Sequence, residues 1–260
     1  MKVLFIGDIT GKPGRRLVVN RVAALRRTHG VDVVIANGEN AAGGLGITPD
    51  AAIELLDAGV DLLTGGNHSW HHRDAYDLLD SEPRILRPAN YPPGVPGRGA
   101  AVVRSTAGVP VGVLNLQGRV FMPELDDPFR QAREQAESLR ASVATVIVDF
   151  HAEATSEKVA MGWYLDGFVT AVVGTHTHVQ TADERILPQG TAYITDVGMT
   201  GPRDGIIGMA REAILERFLT QLPARFQVAP GPVQLNAVII AADVDGRAKS
   251  IERLLIVEEM

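Results

Sequence analysis

Val31-Asp32-Val33-Val34-Ile35-Ala36-Asn37-Gly38-Glu39-Asn40 is the stretch on which the fold is decided. Its first six residues form a short, nearly continuous apolar run, the pattern of a strand covered on both faces. The run stops on an amide, a glycine, a carboxylate and a second amide. Upstream, Lys2–Gly7 is another apolar run, and Asp8 ends it. Between the two, Pro13 to His29 carries Leu17, Val18, Val22 and Leu25 at helical spacing. Downstream, Thr48-Pro49-Asp50 opens a helix with a capping hydroxyl and proline at the first position. Asp61–Thr64 is a third strand, ended by Gly65-Gly66-Asn67-His68, and Asp74–Leu79 reads as a short helix.

The alternation continues past a loop rich in proline and glycine at Arg87–Gly99. Strands are expected at Ala101–Arg104, Val111–Leu116, Thr145–Phe150 and Phe168–Val173, with helices at Asp127–Ser142 and Ser156–Leu165. Such a series predicts an α/β fold with a mainly parallel sheet covered by helices on both faces. After Gly190 the pattern changes. A strand at Thr191–Thr195 is followed by a glycine-rich loop, Gly198–Gly208, and a helix at Arg211–Leu222. Arg225–Val228, Val233–Ala241 and Ile251–Val257 then read as β-runs, expected to be antiparallel and to complete a second sheet. No linker or repeat divides the chain, so residues 1–260 are expected to form one domain.

Composition narrows the function classes. The 260 residues are 45% hydrophobic and 22% charged, as in an ordinary globular protein. A formal net charge of −6 gives no basic footprint for long nucleic acid. The absence of cysteine excludes disulfides, thiolate ligands and a cysteine nucleophile. No stretch approaches the roughly 18 apolar residues of a membrane span. The expectation is a soluble, cytoplasmic protein.

What ends each apolar run carries the chemistry. Asp8, Glu39-Asn40, Asn67-His68, Asp149-Phe150-His151 and His176-Thr177-His178 all stand at or just past the carboxyl ends of expected strands. In an open parallel sheet those ends share one edge, where ligands bind. Neighbouring strands lie about 4.8 Å apart, so loops from several strands can meet on one small site. Without cysteine, carboxylates and imidazoles form a donor set for iron, manganese or zinc. His176 and His178, directed to one side of an extended segment, are expected to reach two metals. Two-metal hydrolases hold their ions roughly 3.5–4 Å apart and clamp phosphoryl oxygens between them. A lone histidine at a strand end is usually structural; five strand ends with ligand-type residues read as a convergent site.

Gly7-Asp8, Gly38-Glu39-Asn40, Gly66-Asn67-His68, His151 and Gly174-Thr175-His176-Thr177-His178, in that order, resemble the motif series of calcineurin-like metallophosphoesterases. Three departures narrow the resemblance. Asp8-Ile9-Thr10 lacks the first histidine ligand of the usual Asp-x-His, Glu39 stands where an aspartate usually bridges, and Ser69 follows Gly-Asn-His where an acidic residue is common. These departures, with Gly38–Gly46 and His176–Gly201, are similar to the bacterial YmdB-like subgroup over essentially the whole chain.

The resemblance implies a metallophosphoesterase-type sandwich of mixed, largely parallel sheets in four layers, α/β/β/α. It implies two metal ions, iron or manganese, with zinc compatible. Asp8, Glu39, Asn40 and His178 would hold one, and Glu39, Asn67, His151 and His176 the other, with Glu39 bridging. His68 would be the general acid, a role worth about 10²–10⁴-fold. The implied activity is hydrolysis of small phosphodiesters, 2′,3′-cyclic nucleotides foremost and 3′,5′-cyclic AMP in addition, by attack of a metal-bound hydroxide, in a homo-oligomer. A phosphomonoesterase or nucleotidase on the same centre is one alternative; a metal-bound regulatory protein with residual catalysis is another. Gly7–Pro13 is no phosphate loop, because its spacing is wrong and Pro13 replaces the hydroxyl residue. His29 reads as structural, near a helix C-terminus where the dipole favours a cation; His71 and His72 read as exposed surface residues. Arg119, Arg185 and Arg203 read as solvated charges.

Overall fold

The computed structural model describes residues 1–259. Along the chain, β1 (Lys2–Ile6) and β2 (Asp8–Ile9) precede α1 (Gly11–His29), β3 (Val33–Asn37), α2 (Pro49–Asp57) and β4 (Leu62–Thr64). Next come α3 (Ala75–Ser81), β5 (Ala100–Arg104), β6 (Pro110–Gln117), α4 (Pro128–Arg140), β7 (Thr145–His151) and α5 (Thr155–Tyr164). The last third holds β8 (Ala171–Thr175), β9 (Arg185–Ile186), β10 (Ala192–Ile194), β11 (Met199–Pro202) and α6 (Arg211–Thr220). Two long strands close it, β12 (Val233–Ala242) and β13 (Ala248–Glu258).

Two sheets form. One runs β2-β11-β12-β1-β3-β4, with β13 paired to β12; the other runs β5-β6-β7-β8-β10-β9. Strand alternation builds the layers between them. Val3, Phe5, Val33 and Ile35 face the second sheet and pack on Val111, Val113, Ile147 and Val173. Their neighbours Leu4, Ile6, Val34 and Ala36 face the other way, onto Leu17, Val18 and Val22 of α1 and Leu55 of α2. On the far side, Val146, Val148 and Phe150 of β7 pack on Ala132, Ala136 and Leu139 of α4 and on Met161 of α5. Both faces of β1, β3 and β7 are therefore buried, which is why these runs are continuously apolar. The result is the four-layer α/β/β/α sandwich.

Local chemistry sets the helix ends. Thr48 accepts from the Ala51 amide at the start of α2, and Asp127 accepts from the Phe129 and Arg130 amides at the start of α4. Gly30, in left-handed conformation, closes α1, with Arg26, Arg27 and His29 in its last turn.

Three expectations are corrected. The C-terminal runs do not complete the second sheet. β12 inserts antiparallel beside β1, with Leu4 opposite Ile239, and carries β13 on its other edge. The second sheet is instead built from residues 100–194. Its strands must bury two apolar faces, and the exposed edge of β1 is the place left for β12. Arg225–Val228 is not a strand: it makes a single bridge, Val228 to Met209. His176-Thr177-His178 is not extended, because β8 stops at Thr175 and both histidines take positive φ, +96° and +66°.

Candidate metal centre

The carboxyl ends of strands from both sheets meet at one edge. β1, β3 and β4 lead into Asp8, Glu39-Asn40 and Asn67-His68 from the first sheet. β7 and β8 bring His151 and His176–His178 from the second. Glycine permits the close approach: a Cβ at Gly66 would overlap Glu39 Oε2 and the His151 ring. Ser69 closes that turn, accepting from the Gly66 amide at 3.2 Å and donating to its carbonyl at 2.7 Å.

The geometry brings together all eight residues expected at the site. His151 Nε2 lies 3.1 Å from Glu39 Oε2, 3.1 Å from Asn67 Oδ1 and 3.1 Å from His176 Nδ1. Donor atoms of Glu39, His151 and His176 all lie within 4.8 Å of one another. Asn40 Nδ2 stands 3.2 Å from both Glu39 Oε1 and His178 Nε2. Asp8 Oδ2 accepts from the His176 amide at 3.2 Å, while its fully buried Oδ1 has no hydrogen-bond partner among the described residues, His151 Nδ1 standing 3.8 Å away. His68 Nδ1 is 3.1 Å from Glu39 Oε1 and from Asn40 Oδ1, so its ring leans over the carboxylate. An orphaned buried carboxylate oxygen beside inward-facing imidazole nitrogens is a donor set that divalent cations satisfy.

Each histidine is oriented from outside. His151 Nδ1 donates to Thr175 Oγ1 at 2.9 Å, and the Thr175 hydroxyl donates onward to Asp149 Oδ1 at 2.7 Å. His176 Nε2 donates to Glu153 Oε2 at 3.1 Å. His178 Nδ1 donates to the Ile207 carbonyl at 3.0 Å. These three partners leave His151 Nε2, His176 Nδ1 and His178 Nε2 free to face the centre, the outer-partner arrangement usual for metal-ligating histidine.

The strained turn is clamped. Left-handed φ at two non-glycine residues persists only where the surroundings over-determine it. Here Asp196, fully buried, accepts from the Thr177 amide at 3.1 Å and hydroxyl at 2.6 Å, and from Lys158 Nζ at 2.7 Å.

The ionisable groups of the centre are displaced from their ordinary values. Burial pushes Asp8 up to about 6, although His178 and His151 pull the other way. Burial also opposes ionisation of Glu39, but His151 and His68 hold it well below the usual carboxylate range. Burial alone would depress His151; Glu39, Asp8 and Asp149 overcome it and raise the group to about 9. Burial and the neighbouring His151 lower His176 to about 3.

Sequence reading did not single out Glu153, Thr175, Thr177, Lys158, Asp196 or Ile207. The one local signal was that Glu153, Thr175 and Thr177 stand within two residues of expected ligands. The Thr10 side chain does not cap α1; its hydroxyl donates weakly to the Asp8 carbonyl at 3.4 Å.

Paired sheets between helical layers, with acid, amide and imidazole donors at their shared edge, define a metallophosphoesterase, a hydrolase class whose chemistry implies divalent metal ions. Within that class the chain belongs to the YmdB-like family, whose model, described as YmdB-like protein, matches residues 4–254. It is 52% identical over 259 residues to the 2′,3′-cyclic-nucleotide 2′-phosphodiesterase of Bacillus subtilis (strain 168), covering 98% of this chain and 97% of that protein. A crystal structure described as a novel phosphatase of Mycoplasma pneumoniae is 36% identical, with a TM-score of 0.93 and coverage of 100% and 94%. The crystal structure of a hypothetical protein from Thermus thermophilus is 45% identical, with a TM-score of 0.93 and coverage of 99% and 100%.

Proposed function

We propose that this chain is a dinuclear metal-dependent phosphodiesterase of small phosphodiesters, with 2′,3′-cyclic nucleotides as its main substrates and 3′,5′-cyclic AMP as a further one. One observation carries the reading. The orphaned Asp8 Oδ1, Glu39 and three imidazole nitrogens turned inward by outer partners gather beneath a cavity of about 330 Å³. Asp8, Glu39, Asn40 and His178 would hold one ion; Glu39, Asn67, His151 and His176 would hold the other. Iron, manganese or zinc fits this nitrogen and oxygen set, and the family resemblance favours iron or manganese. Such ions supply Lewis-acid charge to phosphoryl oxygens and lower the pKa of a bound water.

The chain's own residues do the rest. His68, partly exposed on the cavity wall, gives a proton to the departing ribose oxygen. Asn67, in the same turn, steadies the ring through a 3.1 Å contact with its Nε2. The single domain of residues 1–260 works in the cytoplasm as a homo-oligomer. Exposed Leu215, Phe218 and Leu219 of α6 support self-association.

The test is bound metal and hydrolysis of 2′,3′-cyclic AMP, measured together on wild type and Glu39→Ala, with bis(p-nitrophenyl) phosphate as a generic diester. The reading requires about two metals per chain and loss of both metal and activity in the variant. No stoichiometric metal after reconstitution with iron or manganese would sink it. The Mycoplasma pneumoniae relative is described as a phosphatase, so a phosphomonoester belongs in the same assay. Faster turnover of the monoester would favour a nucleotidase.

A further inference from the structure

The cavity over the centre has two unlike halves. One is polar, with Glu39, Asn40, His68, His176 and His178. The other is an apolar wall of Leu45, Ile207, Met209, Ile214 and Phe226. A phosphodiester group needs only the polar half. Among the described residues no lysine or arginine lines this cavity; Arg217 lines the adjoining cavity that shares Ile207, Ile214 and Phe226 with it. The volume over the centre, about 330 Å³, falls in the roughly 300–1,000 Å³ range of small-molecule sites.

Ile207 joins the halves. Its carbonyl holds His178 Nδ1 at 3.0 Å, and its half-exposed side chain lines the wall. It does so at φ +46°, a conformation that a β-branched residue rarely adopts. Glycine would aim the same carbonyl without that strain, and Gly208 stands next in the chain. A branched apolar side chain kept at a strained position beside a reactive centre points to a contact with ligand. Phe226 adds an aromatic ring, with the Arg217 guanidinium 5.3 Å from its centroid.

We propose that this wall is a base subsite: Phe226 and Ile207 receive the flat heteroaromatic base of a nucleoside 2′,3′-cyclic phosphate while the polar half takes the cyclic phosphate. The inference rests on the phosphodiesterase reading above and assigns that site its specificity. Aromatic stacking tolerates any base, so purines and pyrimidines both fit, with the larger ring system gaining more contact.

The experiment compares kcat/KM for 2′,3′-cyclic AMP and for methyl riboside 2′,3′-cyclic phosphate, which lacks a base. Wild type, Phe226→Ala and Phe226→Leu are assayed with metal content and Tm checked. Saturation-transfer NMR of adenosine on the metal-free proteins gives a readout independent of turnover. Wild type should prefer the base-bearing substrate at least ~10-fold, and Phe226→Ala should erase most of that preference, as expected for loss of one stacking contact. Phe226→Leu should fall between, and transfer to the adenine protons should weaken in the same order. An equal rate for both substrates in wild type, or an unchanged preference in Phe226→Ala, would overturn the base subsite and leave the phosphodiesterase standing. If neither substrate is turned over but adenosine transfer is lost in Phe226→Ala, the subsite stands and the phosphodiesterase reading falls.

Discussion

Thr177 gives both its amide and its hydroxyl to one oxygen of Asp196, at 3.1 and 2.6 Å, and so pins the residue between His176 and His178. The two histidines reach the centre from left-handed backbone because this contact holds the turn. Thr177→Val keeps the shape and deletes one hydrogen bond to a charged acceptor, worth about 1.5–3 kcal/mol. The expected outcome is weakened metal binding with most of the fold's stability retained, measured by manganese titration and thermal unfolding. Thr177→Ser should restore binding. A variant with wild-type affinity would show that the turn holds itself.

Lys158 stands behind the same carboxylate with only 1% of its surface exposed. Lys158→Met leaves Asp196 charged, buried and without its cation. Breaking such a pair costs about 3–5 kcal/mol, so a clear fall in Tm is expected even without metal. The double variant Lys158→Met with Asp196→Asn should recover much of that loss in Tm, while metal binding stays impaired because Thr177 has lost its charged acceptor.

Glu153 accepts from His176 Nε2 at the cavity rim. Outer partners of ligating histidines typically contribute about 10–100-fold to metal affinity. Glu153→Ala should lower affinity by that order, and Glu153→Gln, which keeps an acceptor oxygen, by less. Equal affinity in all three proteins would remove Glu153 from the site.

Much of the fold and of the site was legible because of what burial demands. Val33–Ala36 has both faces covered, so its apolar run could not be mistaken for a surface strand, and Glu39-Asn40 at its end had to fall on a sheet edge. Glu39, Asn67, His151 and His176 are close in space for the same reason. The placement of β12 beside β1 was not legible, since Leu4 and Ile239 meet across almost the whole chain. Nor was the His176–His178 turn: positive φ is usually signalled by glycine, and here it is imposed from afar by Asp196. Glu153, Thr175 and Lys158 look like ordinary polar residues until their partners are known.

Gly66 sits where no side chain fits. A Cβ would press on Glu39 Oε2 and the imidazole of His151. Gly66→Ala should therefore displace a buried carboxylate from its histidine, with overpacking costing about 1–3 kcal/mol. Reduced metal stoichiometry is expected with a modest fall in Tm. Gly94→Ala is a control for an added methyl without crowding, because Gly94, unlike Gly66, has positive φ and no neighbour within 4 Å of an added Cβ among the described residues. If the two variants bind metal equally, crowding at Gly66 is not what shapes the site.

The metal-free centre should respond to pH with two opposite slopes. His151 is raised from 6.5 to about 9 by Glu39, Asp8 and Asp149 against the effect of burial. A raised histidine stabilises the metal-free fold fully below its unfolded value, and that contribution is lost as pH climbs through the folded value. Asp8, raised from 3.8 to about 6, has the same sign but completes its change lower, and His176, lowered to about 3, acts only below its ordinary 6.5. Between 6.5 and 9 His151 is thus the main one of the three still changing. Tm of the metal-free protein should fall across that window. Metal affinity should rise across it, because ligation requires His151 to give up its Nε2 proton. Titrations in buffers of different ionisation enthalpy should show proton release near pH 7, diminishing towards about 9. A Tm that rises with pH would show that His151 is not raised as the geometry requires, and metal uptake without proton release would place His151 outside the ligand set.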